Sequence, residues 1–153
     1  MRPMLRNTFK GTLVSMLSAL ALSVAGPGAR AGWTDVKAGP NGHFLVQARI
    51  NGVRTRAVID TGASSVAIPW REAQRMGLHP RLKKFDKAVA TANGVVKVAP
   101  VTLRRVEIGP VVARDVRAVI LPKGRLGVVL IGMSFLSKLR RYSVRANTLR
   151  LMD

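Results

Sequence analysis

The stretch AVIDTGASS, residues 57–65, sets one carboxylate, Asp60, where an apolar run meets a Thr-Gly turn. Alone, such a tripeptide is an ordinary turn, since Asp and Gly are both favoured in turns. Its surroundings narrow the reading. In HFLVQARI, residues 43–50, Phe44, Val46, Ala48 and Ile50 fall on one face, the alternation of a half-buried strand. Asn51-Gly52 follows, and both residues take positive φ cheaply, as a two-residue hairpin turn requires. The return strand, Val53 to Ile59, therefore delivers Asp60 at the end of a hairpin.

Downstream the pattern stays β-rich. SVAIP, 65–69, is a short strand, and WREAQRMGL, 70–78, is a short helix with Pro69 before it and Gly77 at its end. KAVATANGVVKVAPVTL, 87–103, is a hairpin with Asn93-Gly94 at its tip; a third hairpin turns at Gly109-Pro110. GVVLIGM, 127–133, reads as a buried strand ending in glycine. SFLSKLRR, 134–141, can form a short helix with Ser134 as its cap, and YSVRANTLRLM, 142–152, makes a last hairpin or strand. Trp33 and Trp70 are expected to anchor the start of the domain and the helix.

The chain has 153 residues, enough for one domain, and its 48% hydrophobic content supports a core built largely without aromatics. Residues 1–31 have the layout of a secretory signal peptide: basic Arg2, Arg6 and Lys10, an uncharged run from Thr12 to Ala25, then Ala29-Arg30-Ala31. A retained membrane anchor is the alternative, with membrane association through that segment. Either way the folded part, residues 32–153, is expected outside the cytoplasm, in a bacterial periplasm or at the inner membrane. Cysteine is absent, so the core or a partner subunit must hold the domain. Net charge is +19, or +15 without residues 1–31, which favours anionic partners. The basic residues are scattered as singles and pairs, no nucleic-acid-binding signature appears, and nucleic acid is disfavoured as a partner. His43 and His79 lack ligand spacing, so no metal and no cofactor is expected. GMSFL, 132–136, lacks the second glycine of a serine nucleophile elbow.

Metal-free amide hydrolysis through water needs a base to activate the water and an acid for the carbonyl oxygen. Two adjacent carboxylates sharing one proton supply both, and they titrate as a unit. Threonine after the aspartate can brace the loop against its neighbour, and glycine lets the backbone donate to the carboxylate and turn tightly. The hairpin, VIDTGAS at 58–64, a second hairpin, VLIGMSFL at 129–136 and a final strand together resemble the retropepsin-like aspartic proteases. The similarity is greatest to single-domain bacterial members with an N-terminal signal or membrane segment, and it covers roughly 43–153. It implies a mainly β, single-lobe closed barrel with one or two short helices. It also implies catalytic Asp60 in a loop with Thr61, Gly62 and Ala63, and Leu130, Ile131 and Gly132 packed beneath. A flap tip is implied at Ala92, Asn93 and Gly94, and a polypeptide as substrate. Met133 stands where many retroviral enzymes have arginine.

Seven residues are acidic, and none of the others lies in a second Asp-Thr-Gly or Asp-Ser-Gly. The second carboxylate is then expected to be Asp60 of another copy in a two-fold homodimer. The alternative is a non-catalytic basic module of the same fold that binds an anionic surface or polymer.

Overall fold

The computed structural model describes residues 32–91 and 94–153. Residues 1–31 and the expected flap-tip residues Ala92 and Asn93 lie outside the described residues. The chain forms β1 (Trp33–Lys37), β2 (Phe44–Ile50), β3 (Val53–Ile59), β4 (Val66–Ile68) and α1 (Trp70–Arg75). A 3-10 turn at Pro80–Leu82 leads to β5 (Lys87–Thr91), β6 (Gly94–Ile108), β7 (Val111–Ile120) and β8 (Val129–Ile131). The last elements are α2 (Met133–Leu136), β9 (Arg141–Arg145) and β10 (Thr148–Met152). Among the described residues no helix is long and apolar enough to cross a membrane.

Strands β2, β3, β8, β4, β7 and β6 follow one another around a barrel. It closes where Ala48, Arg49 and Ile50 of β2 pair with Ile108, Glu107 and Val106 of β6. The β2–β3 hairpin turns on Asn51 (φ 48°) and Gly52 (φ 87°), the positive angles its sequence calls for. Val46, Ala48, Ile50, Ala57 and Ile59 point inward, while Gln47, Arg49, Arg54 and Arg56 stay exposed. The helix α1 ends as its glycine dictates. Gly77 (φ 67°) donates to Gln74 O and Leu78 to Ala73 O, the Schellman arrangement that satisfies terminal carbonyls. Trp70 stacks on Phe85 with ring centroids 5.6 Å apart and so ties α1 to the following loop.

Two of the expected hairpins share one strand. β6 runs for 15 residues, pairing with β5 at one end and with β7 along the rest. Both β6 and β7 change their inward face midway. Leu103 and Val116 are paired in the core, as are Val106 and Ala113, while Arg104, Arg105, Arg114 and Asp115 between them avoid full burial. Asp115 takes up the twist in the left-handed region (φ 51°). A charged pair in each strand thus lies at a barrel corner.

A second sheet, in the order β1-β10-β9, joins the start of the domain to its end. Val36, Leu149 and Leu151 on one of its faces are buried in the main core, beside Phe135 and Leu136, while Tyr142 and Val144 of β9 on that face stay exposed. Trp33, expected to anchor the start of the domain, is not buried in the core. It leaves the sheet on the opposite side from Val36 and is 56% exposed, because odd-numbered positions of β1 all face away from the core.

Candidate active site

Asp60 is positioned from both sides by β-structure. β3 lies parallel to β8, with Ile59 level with Ile131, and the ladder continues one step as Asp60 N–H donates to Ile131 O at 3.0 Å. The backbone then turns: Ala63 N–H donates to Asp60 O at 3.3 Å, and Gly62 N–H donates to the Asp60 Oδ1 at 2.9 Å. One carboxylate oxygen is thereby aimed by its own loop, and the half-buried group keeps an outward side. Thr61 and Gly62 are exposed at the tip of the turn and Ala63 is half-buried.

The other wall of the loop is the end of β8 and the start of α2. Met133 N–H donates to Ala63 O (2.8 Å) and Ser134 N–H to Ser64 O (3.2 Å). Gly132 is buried so tightly that a Cβ there would stand 2.4 Å from Ala63 O and 2.5 Å from Ser65 O. Ile131 and Gly132 thus lie directly against the 60–65 loop, while Leu130 pairs with Val58 of β3 and Ala67 of β4 on either side of it. Gly94 opens β6 at φ 96°, with Thr91 Oγ1 donating to its carbonyl at 2.7 Å.

Ser134 does not cap α2, whose N-cap is Gly132 without a side-chain cap bond. The serine is 4% exposed, and its Oγ accepts from Val66 N–H (3.0 Å) and donates to Arg117 O (2.6 Å). One hydroxyl therefore links α2, β4 and β7 directly behind the Asp60 loop. The sequence carries only a partial signal of this, the apolar pair Phe135-Leu136 that follows the serine. Ser134→Ala strands both backbone groups, and we expect it to lower unfolding free energy by about 2 kcal/mol in chemical denaturation.

Four of the other six acidic residues are engaged elsewhere. Asp35 binds Arg150, Glu72 binds Arg75 and Thr55 Oγ1, Glu107 binds Arg105, and Asp153 accepts from the amides of Gly32 and Val112. The guanidiniums beside Asp35 and Glu107 hold both carboxyls below their usual range. Asp115 occupies the barrel corner and Asp86 precedes β5. Among the described residues no three His, Cys, Asp or Glu side chains gather as a metal site. A cavity of about 580 Å³ lined by Trp70, Arg71, Lys123 and Gly127 opens at the far ends of β4 and β8 from Asp60.

The arrangement matches known proteins. The model of the gag-polyprotein aspartyl protease family matches residues 46–138. An uncharacterized protein from the cobV 5' region of Sinorhizobium sp. is 42% identical over 113 residues, which are 74% of this chain and 48% of that protein. The chain thus spans about half the length of the curated relatives it matches. The crystal structure of a retropepsin-like aspartic protease from Rickettsia conorii superposes with a TM-score of 0.72 at 30% identity, covering 80% of this chain and 92% of that one. The EIAV protease, in complex with the inhibitor HBY-793, superposes with a TM-score of 0.55 at 16% identity over 67% of this chain and 93% of its own, a likeness of fold. With an Asp-Thr-Gly loop at the junction of β3 and β8 in a closed six-stranded barrel, the chain belongs to the retropepsin-like aspartic proteases of the gag-polyprotein aspartyl protease family.

Proposed function

We propose that this chain is an aspartic endopeptidase that hydrolyses peptide bonds as a homodimer, with Asp60 of each copy meeting at the two-fold axis. The observation that carries the proposal is the lone, pre-aimed carboxylate: Gly62 N–H fixes Asp60 Oδ1 in a loop built from both sides. One carboxylate cannot serve as both base and acid in the same step. Paired, the ionised member takes a proton from water while the protonated member donates to the carbonyl oxygen. The tetrahedral intermediate then collapses with a proton passed to the leaving amine. Thr61 is exposed at the tip, which supports a role in bracing the two loops against each other. The β5–β6 hairpin covers the substrate from above. Its base is fixed to the barrel by a small cluster of Ala67, Val96, Val98, Val119 and Leu121, against which Val89 and Leu130 pack. Leu130 of that cluster lies in β8 next to Ile131, whose carbonyl accepts from Asp60 N–H, so hairpin and loop rest on the same strand. The basic start and apolar run of residues 1–31 support an activity outside the cytoplasm.

The test is cleavage of a peptide library across enzyme concentration, with mass measured alongside. Below the dimerisation constant, specific activity should rise about in proportion to concentration, because active species form from two chains. Constant specific activity from a chain that sediments as a monomer would overturn the proposal, as would a monomer that cleaves nothing at any concentration.

A further inference from the structure

The β1-β10-β9 sheet has an outward face that the active-site reading does not use. Strand register puts three rows on it: Trp33, Met152 and Arg141; Asp35, Arg150 and Ser143; Lys37, Thr148 and Arg145. Direct cross-strand partners project to the same side. The contacts agree, since Arg150 binds the Asp35 carboxylate (2.6 and 2.7 Å) and lies 4.9 Å over the Trp33 ring. Asp35 offsets one cation, so Lys37, Arg141, Arg145 and Arg150 leave the face at +3. Lys37, Arg141, Ser143 and Arg145 are exposed and Trp33 is 56% exposed. On the opposite face the β1 and β10 residues Val36, Leu149 and Leu151 are buried in the core, and the exposed Tyr142 and Val144 of β9 carry no charge.

Three observations point to one occupant. The face is basic, so a second copy of itself would set like charge against like. None of its residues lines the cavity beside Trp70, and it is a surface to lie on rather than a cleft for a peptide. Trp33 stands one residue after Gly32, which packs against Pro110. In sequence only six residues separate Gly32 from the apolar run ending at Ala25, a reach of about 25 Å when extended. Exposed tryptophan beside arginine, next to an apolar stretch, is the composition of a membrane–water interface.

We infer that the outward face of the β1-β10-β9 sheet is a docking surface for the headgroups of an anionic phospholipid bilayer, with Trp33 seated at the interface and Lys37, Arg141 and Arg145 over the lipid phosphates. This turns the opposite side of the sheet, with the barrel, away from the membrane. Docking needs no retained anchor, though one would hold the face close to its target.

The experiment uses the full chain with vesicles of phosphatidylcholine alone or with about one quarter phosphatidylglycerol, at about 0.05 M and about 0.5 M salt. Binding should favour the anionic vesicles at low salt and lose that preference at high salt. Arg141→Glu with Arg145→Glu should reduce the preference by about tenfold or more. An equal charge change on the α1 side, Arg71→Glu with Arg125→Glu, should leave most of it. Brominated lipid should quench fluorescence in the wild type and much less in Trp33→Phe, where Trp70 alone emits; this readout needs no charge variant to fold. Equal binding to both vesicle types, equal losses in the two charge pairs, or quenching unchanged in Trp33→Phe would overturn the inference. So would binding to polyglutamate that Arg141→Glu with Arg145→Glu abolishes while vesicle binding persists, which would assign the face to acidic polypeptide.

Discussion

Asp60→Asn is expected to lower kcat/KM for peptide cleavage by about a thousandfold or more while the fold survives. The loss follows from chemistry. Asparagine neither takes a proton from water nor shares one with a facing carboxylate, and general acid and base functions are removed together. The survival follows from geometry. The one described contact of the carboxylate is acceptance from Gly62 N–H at 2.9 Å, and the asparagine Oδ1 can accept the same bond. Denaturant midpoints of the two proteins should therefore agree to within about 0.5 kcal/mol. Cleavage that persists in Asp60→Asn would place the chemistry elsewhere in the chain.

Gly132→Ala should do the opposite in one respect: it should damage stability and activity together. A methyl group at that position would stand 2.4 and 2.5 Å from the carbonyl oxygens of Ala63 and Ser65, both backbone atoms that cannot rotate away. The strain is steric and not conformational, since Gly132 lies at φ −96°, ψ −167°, extended backbone open to any residue. The loop must move away from β8, which stretches the Met133–Ala63 and Ser134–Ser64 hydrogen bonds. We expect a stability loss of about 3 kcal/mol. A displacement of the Asp60 carboxylate by about 1 Å should cost about a hundredfold in kcat. Thermal melting and single-turnover cleavage on the same preparation separate this outcome from that of Asp60→Asn, which should move only the second. Undiminished stability in Gly132→Ala would mean that the loop does not rest on β8.

Much of this site was readable because the relevant signals are local. Asn51-Gly52 and Gly77 act through the φ values they permit, and the structure uses them so. The Asp60 loop and the glycine after VLI at 129–131 each mark a strand end. What joins them is not local: the parallel pairing of β3 with β8 spans about half the chain and rests on no turn code. The reversal of faces at Arg104-Arg105 and Arg114-Asp115 was hidden for another reason. A period-two pattern breaks there, and a strand read alone does not show that the break is a barrel corner. Ser134 looked like a cap because serine before a short helix usually is one; its burial comes from β4 and β7 closing over α2. Trp33 is the clearest departure. A large aromatic at the start of a domain invites burial, but strand parity with the buried Val36 sends it outward.

The central claim is that catalysis requires two Asp60 carboxylates from two chains. Mixing wild-type chains with the Asp60→Asn variant at fixed total concentration, after denaturation and co-refolding, tests it without knowledge of the natural substrate. If each active site takes one Asp60 from each partner, hybrid dimers are inactive, and activity should fall as the square of the wild-type fraction, to about one quarter in an equal mixture. Activity that falls in simple proportion to the wild-type fraction would show that each chain cleaves on its own, and would contradict the shared site.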